Sequence, residues 1–215
     1  MTTHLHETLY RGEDLLGRLA QARLVVCGAG ALGSLLCDNL VRHGARNLLI
    51  IDRDRVEEHN LGTQVYNRAD IGARKAEALA AHLFRAMGTE VEAVAKELAE
   101  RNVAKLLRGA DLVFDCFDNS ASRRLVAEHC AAQGLDCLHL GVHTDYGAVE
   151  WNQGYRVPQD VLAPGACDYP LARNLLLVVI ALGSEAALQF LADGSRNAYE
   201  FTLRDLTVST RSETR

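Results

Sequence analysis

From Arg23 onward the chain alternates between short, unbroken apolar runs and longer stretches whose apolar residues recur three or four apart. The runs predict strands at Arg23–Cys27, Asn47–Ile51, Glu90–Ala95, Asp111–Asp115 and Asp136–Leu140. The longer stretches predict helices near 33–43, 70–87, 101–108 and 119–133. Strand and helix in strict alternation is the pattern of a parallel sheet covered by helices. The rhythm changes near Tyr146. GAVEWNQGYRV reads as one or two strands broken by a turn at Asn152–Gly154. VPQDVLAPGACDYP follows and holds all three prolines, Pro158, Pro164 and Pro170. That predicts a long loop, and long loops in compact domains are usually functional or disordered. A helix is expected from about Asn174 to Ala192, and FTLRDLTVST predicts one more strand. With no repeat, low-complexity stretch or clear linker, residues 1–215 read as a single domain.

Composition narrows the classes. Of 215 residues, 48% are hydrophobic and 24% charged, ordinary for a soluble globular protein, and the net charge is -5. No basic run stands out, which argues against broad electrostatic binding of nucleic acid. The N-terminus lacks a basic segment followed by an apolar one, and the longest apolar run, Leu175 to Leu182, is well short of the ~20 residues of a bilayer span. A cytoplasmic protein with no membrane partner is the expectation. None of the six cysteines is spaced C-x-x-C, which argues against structural zinc. Cys27 and Cys116, at the ends of strand-like runs, read as buried reduced thiols.

The first strand runs into VVCGAGALGS. Gly28, Gly30 and Gly33 form G-A-G-A-L-G, the spacing of a nucleotide-binding turn: the first for a tight turn, the second for close approach of a phosphate, the third for close helix packing. Amides at the start of the next helix would face the ligand. Asp52 closes the second strand, where it could accept bonds from a ribose hydroxyl pair. The expected fold is therefore α/β and Rossmann-like, a mostly parallel sheet with helices on both faces and a C-terminal antiparallel extension. A dinucleotide and ATP satisfy these features equally. A triphosphate, with about four negative charges against about two for a pyrophosphate bridge, usually needs an added lysine, arginine or magnesium.

Such groups follow. I-D-R-D-R-V-E-E-H-N-L-G-T-Q is succeeded by D-I-G-A-R-K-A-E and then by D-L-V-F-D-C-F-D-N. In these motifs and their order, from about Leu15 to Ala192, the chain resembles the ubiquitin-activating superfamily, and more narrowly the bacterial sulfur-carrier adenylyltransferases of the ThiF/MoeB type. The resemblance implies roles residue by residue. Gly28, Gly30 and Gly33 would line the nucleotide loop and Asp52 would hold the ribose. Asn60 and Gln64 would be polar groups on the phosphate side, and Lys75 the phosphate-binding lysine. Asp118 would bind Mg2+, with Asp115 as the alternative acid and a helix N-cap as the non-catalytic role for Asp118. Arg11 would match an N-terminal arginine that reaches into the partner's site in a homodimer. Cys167 would match a cysteine that forms a thioester or persulfide with the carrier tail, although Asp168 beside it opposes a lowered thiol pKa.

The implied activity is adenylylation: a carboxylate attacks the α-phosphate of ATP and pyrophosphate leaves. Two anions must meet, so cations must offset their repulsion, and the nucleophile is already ionised at neutral pH. The implied acid is the C-terminal glycine of a small ubiquitin-like or sulfur-carrier protein ending in Gly-Gly. Alternatives are a small-molecule, peptide or tRNA-base carboxylate, or a catalytically impaired binding subunit. An NAD-dependent oxidoreductase has only the glycine loop in its favour. The impaired reading draws on Thr63, which stands where the resemblance calls for an arginine before Gln64; Arg55, Arg74 and Arg11 are the candidate substitutes. His139 and His143 read as ordinary polar residues rather than metal ligands.

Overall fold

A computed structural model describes residues 3–159 and 170–211. One eight-stranded sheet runs through it in the order β3-β2-β1-β4-β5-β6-β7-β8. The strands are β1 (Arg23–Cys27), β2 (Asn47–Ile51), β3 (Glu92–Val94), β4 (Leu112–Asp115), β5 (Cys137–His143), β6 (Tyr146–Trp151), β7 (Ala198–Thr202) and β8 (Val208–Arg211). β1 to β5 are mutually parallel, and β5 to β8 pair antiparallel. This is the expected mostly parallel sheet with an antiparallel extension.

Helices α1 (Leu5–Arg11) and α2 (Glu13–Gln21) precede β1; α3 (Ala31–His43), α4 (Lys75–Met87), α5 (Glu100–Leu106) and α6 (Ser120–Gln133) cross between parallel strands; α7 (Arg173–Asp193) follows β6. Period-two alternation sorts each buried strand between two cores. Leu24, Val26, Leu48, Ile50, Leu112 and Phe114 face the larger core with α2, α3, α4 and α7. Val25, Cys27, Leu49, Ile51 and Val113 face the smaller one with α5 and α6. Strands covered on both faces read as continuous apolar runs, which is why β1 and β2 were legible to the residue.

The sheet and chain differ from the sequence expectations at several places. α1 and α2 lie outside the sequence expectations: α1 buries no residue, and α2 is short, contains Gly17 and fully buries only Leu19. α4 begins at Lys75, since residues 68–70 form a separate 3-10 turn. GAVEW supplies one strand, and the C-terminal stretch forms two, β7 and β8. α7 is, by length and composition alone, long and apolar enough to cross a bilayer. Here Leu175, Leu176, Val179, Ile180 and Ala187 are buried in the larger core.

Candidate functional site

The strand order reverses direction between β1 and β4, and open α/β sheets bind ligands past the carboxyl ends of strands at such a switch point. β1 ends at Cys27, paired with Ile51 of β2 and Asp115 of β4. The glycine loop, the segment opening at Asp52 and the segment Cys116–Asn119 therefore leave the sheet side by side. Gly28 has φ +98°, and a Cβ there would lie 3.1 Å from the Cys116 carbonyl. At Gly33 a Cβ would lie 1.8 Å from the Gly28 oxygen, which no side chain could accommodate. A Cβ at Gly30 would meet nothing within 4 Å, so this face of the loop is open to an incoming group. The tight turn at Gly28 and the close helix packing at Gly33 are both present.

Asp52 is buried, and both carboxylate oxygens accept backbone N–H groups: Oδ2 from Ala29 at 2.7 Å and Oδ1 from Asp54 at 2.7 Å. It thus fastens the glycine loop to the end of β2. Burial pushes its pKa above the ordinary value, against the pull of those two amides and the Lys75 charge. Each oxygen keeps a second acceptor site for a ribose hydroxyl.

Lys75 opens α4 and is only 9% exposed. Its backbone is held on both sides: the N–H donates to the Asp54 carbonyl at 2.9 Å, and its carbonyl accepts from Tyr66 Oη at 3.2 Å. Tyr66 Oη also bonds the Ala29 carbonyl at 2.7 Å, tying α4 to the glycine loop. Among the described residues the ammonium pairs only with Asp54 Oδ2, at 3.8 Å. Asn60 is buried in the 3-10 turn Glu58–Gly62, where its Oδ1 accepts from the Glu57 N–H at 2.9 Å. Gln64 is also buried, and its Oε1 has no hydrogen-bond partner among the described residues.

On the β4 side, Asp118 is exposed and Asn119, not Asp118, caps α6 by accepting from the Ser122 N–H at 2.9 Å. Asp115 is fully buried and committed elsewhere: its Oδ2 meets His139 Nδ1 at 2.8 Å and its Oδ1 accepts from the Phe117 N–H at 3.2 Å. Asp118, exposed and met by Asn119 Nδ2 at 3.5 Å, is the less committed of the two acids. His139 is buried between Asp115 and Asn152 Oδ1 (2.9 Å), so it serves as a polar core residue. Beside it Arg123, almost fully buried, donates to Tyr155 Oη at 2.9 Å and the Leu140 carbonyl at 2.7 Å. This network went unnoticed in the sequence; its partners lie on β4, α6, β5 and the segment after β6, and no local spacing unites them.

Arg11 lies away from the loop. It pairs with Glu7 at 2.7 Å and with Glu185 of α7 at 2.9 Å. Burial alone would lower its pKa, but the two acids hold it above the usual value. Cys167 lies outside the described residues. The five described cysteines are free and buried.

A magnesium ion commonly takes only one or two carboxylates and completes its shell with water and substrate phosphates. The exposed Asp118 at the strand tips fits that demand, while no group of three or more acidic, histidine or cysteine side chains among the described residues forms a closed metal cage.

Known proteins agree with this architecture. Residues 4–156 match the model of the ThiF family. The chain is 35% identical over 135 residues to the SAMP-activating enzyme E1 of Haloferax volcanii, covering 61% of this chain and 50% of that protein. It is 32% identical over 134 residues to the sulfur carrier protein ThiS adenylyltransferase of Bacillus subtilis, covering 60% and 40%. It therefore spans half or less of the length of these relatives. Among solved structures, E. coli MccB with succinimide superposes with a TM-score of 0.83 at 16% identity, over 98% of this chain and 70% of that one, which establishes the fold. With more than two thirds of its length matched by the family model, and the glycine loop, Asp52 and Lys75 tied together at the strand tips, this chain belongs to the ThiF family.

Proposed function

We propose that this protein adenylylates a carboxylate with ATP, and that the carboxylate is the C-terminal glycine of a small sulfur-carrier or ubiquitin-like protein. The observation that carries the reading is Lys75. Lysine is rarely buried without a close partner, yet this ammonium is buried at the strand tips with one acid at 3.8 Å. A phosphate in the crevice would complete its coordination. The similarity to the SAMP-activating enzyme E1 and to the sulfur carrier protein ThiS adenylyltransferase supports the choice of substrate.

The chain's own groups divide the work. The open face at Gly30 and the amides at the start of α3 receive phosphate oxygens. Asp52 orients the ribose, while Asn60 and Gln64 offer amide groups to the phosphates. Lys75 offsets the repulsion between the incoming carboxylate and the α-phosphate and stabilises charge on the departing pyrophosphate. No protein base is required, because the nucleophile is ionised at neutral pH. Asp118 would hold Mg2+, which when bound supplies further charge neutralisation to the phosphates. We extend the reading to a cytoplasmic homodimer: all five described cysteines are free, as in a reducing compartment, and exposed Leu9, Tyr10 and Leu177 give α1 and α7 apolar surface for a second copy.

The test is ATP–pyrophosphate exchange with a purified carrier ending in Gly-Gly. Exchange that appears only with the carrier, and disappears in K75A and D118N, is expected. ATP binding without exchange for any such carrier would select the impaired-subunit reading that Thr63 favours.

A further inference from the structure

The strand tips are short of positive charge. Asp52, Asp54 and Asp118 follow the ends of β2 and β4, and Lys75 is the one buried cation beside them among the described residues. A nucleoside triphosphate would add about four negative charges. Three arginines were candidates to offset them. Arg11 is spent on Glu7 and Glu185. Arg55 reaches back to the Gly72 carbonyl at 2.6 Å, and Arg74 to the Arg53 carbonyl at 2.7 Å, so both brace the segment between β2 and α4.

A fourth arginine, remote in sequence, is delivered by the fold. Arg173 is the first residue of α7. Leu171, just before it, forms a bridge with Thr144 beyond the end of β5, so α7 starts at the same end of the sheet as the glycine loop. Arg173 Nη1 lies 3.4 Å from the carbonyl of Gly62, the last residue of the turn that carries Asn60 and precedes Thr63 and Gln64. That turn leans in addition on the first turn of α3, where Ser34 Oγ accepts from the Val65 N–H at 3.4 Å. The guanidinium is exposed, meets no acid among the described residues, and is held by a bond at the long limit. Its remaining donors are free to form a fork on a phosphate.

We propose that Arg173 is a catalytic residue of this site and binds the outer phosphates of ATP, supplying the cation that Thr63 cannot. The inference rests on the adenylylation reading above. In that reaction a bond forms between the carboxylate oxygen and the α-phosphorus, and the bond from that phosphorus to the α–β bridging oxygen breaks. The electron pair leaves with pyrophosphate, and no proton is needed. A cation on the outer phosphates stabilises the charge that accumulates there. Gln64, buried two residues after the same carbonyl, has an Oε1 with no hydrogen-bond partner among the described residues, so its side-chain amide is not committed to the protein through that atom.

The test compares ATP and AMP binding by calorimetric titration in the native protein, R173A and R173K. AMP lacks the outer phosphates, so it separates this role from a general structural one. R173A is expected to weaken ATP roughly ten- to hundredfold, the range of a hydrogen bond to a charged group, to leave AMP within about twofold, and to recover in part in R173K. Equal weakening of ATP and AMP, or unchanged ATP affinity in R173A, would overturn the assignment of Arg173 while leaving the nucleotide site in place. Failure of the native protein to bind ATP at all would overturn the site itself and Arg173 with it.

Discussion

The imidazole of His139 stacks flat on the ring of Tyr155, with centroids 3.6 Å apart and planes 9° from parallel. The stack pins the segment after β6 to the top of β5. Tyr155 also accepts from Arg123, and Ser120 donates to the Pro158 carbonyl, so this segment is fastened to the first turn of α6, next to Asp118. Burial tends to lower the pKa of Arg123, but the Asp115 charge and the Tyr155 hydroxyl hold it above the usual value. Y155F keeps the stack and removes the acceptor, leaving one guanidinium group unsatisfied, at a cost of about 1–3 kcal/mol. R123A leaves Asp115 without its cation and should cost about 3–5 kcal/mol. Denaturant unfolding of the two variants checks both the sizes and their order.

Gly33 and Gly30 should respond in opposite ways to a single methyl group. G33A drives a Cβ into the Gly28 oxygen, so the loop must open and stability falls by about 1–3 kcal/mol or more. G30A meets open space and should lose less stability, yet its methyl projects where a phosphate would approach. Thermal melts paired with ATP titration separate the two. Equal melting temperatures for the pair would contradict the packing at Gly33.

The raised pKa of Asp52 has a consequence with two signs. The folded protein holds this proton more tightly than the unfolded chain, so stability from this group is greatest below the unfolded value near 4 and is lost as pH rises through the folded pKa. Nucleotide binding runs the other way, since a protonated carboxyl is a weaker acceptor and gives up one lone pair to its proton while both backbone amides already bond to it. ATP affinity should therefore decline on the acid side beginning above the ordinary aspartate range. Titrations across pH in the native protein give this limb, and an affinity independent of pH there would remove Asp52 from the site.

Burial raises the Cys27, Cys116 and Cys137 thiols well above the usual value, and that of Cys37 as well. The thiolate is the reactive form, so these four should resist alkylation in the native protein; Cys130 is shielded by burial alone, and all five should react fully in denaturant. Peptide mapping after a maleimide pulse reads this directly. Native labelling at any of the five would contradict the packing around it.

Much of this architecture was legible in the residues alone. RLVVC and NLLII are buried on both faces, and a strand so placed must be apolar throughout. The glycine spacing worked for a similar reason: Gly33 is dictated by a backbone oxygen only five residues away, a local constraint that leaves a local mark. Lys75 and Asp118 are singled out by motifs, which carry residue types at fixed spacing along one segment. α1 and α2 are too short for their period to stand out, at seven and nine residues, and Asp115 and Asp118 carry the same carboxylate, so local sequence cannot separate them.

That choice belonged to tertiary structure. Asp115 is held in the core by His139, 24 residues away in sequence, whereas Asp118 stays exposed, and that difference is set by the neighbour that reaches each acid. Arg173 meets Gly62 across 111 residues, for the same reason. Hydrophobic period and turn chemistry act over a few residues and write the elements into the chain. The pairing of charges depends on which strand tips the finished sheet sets side by side, and no stretch of sequence contains that information by itself.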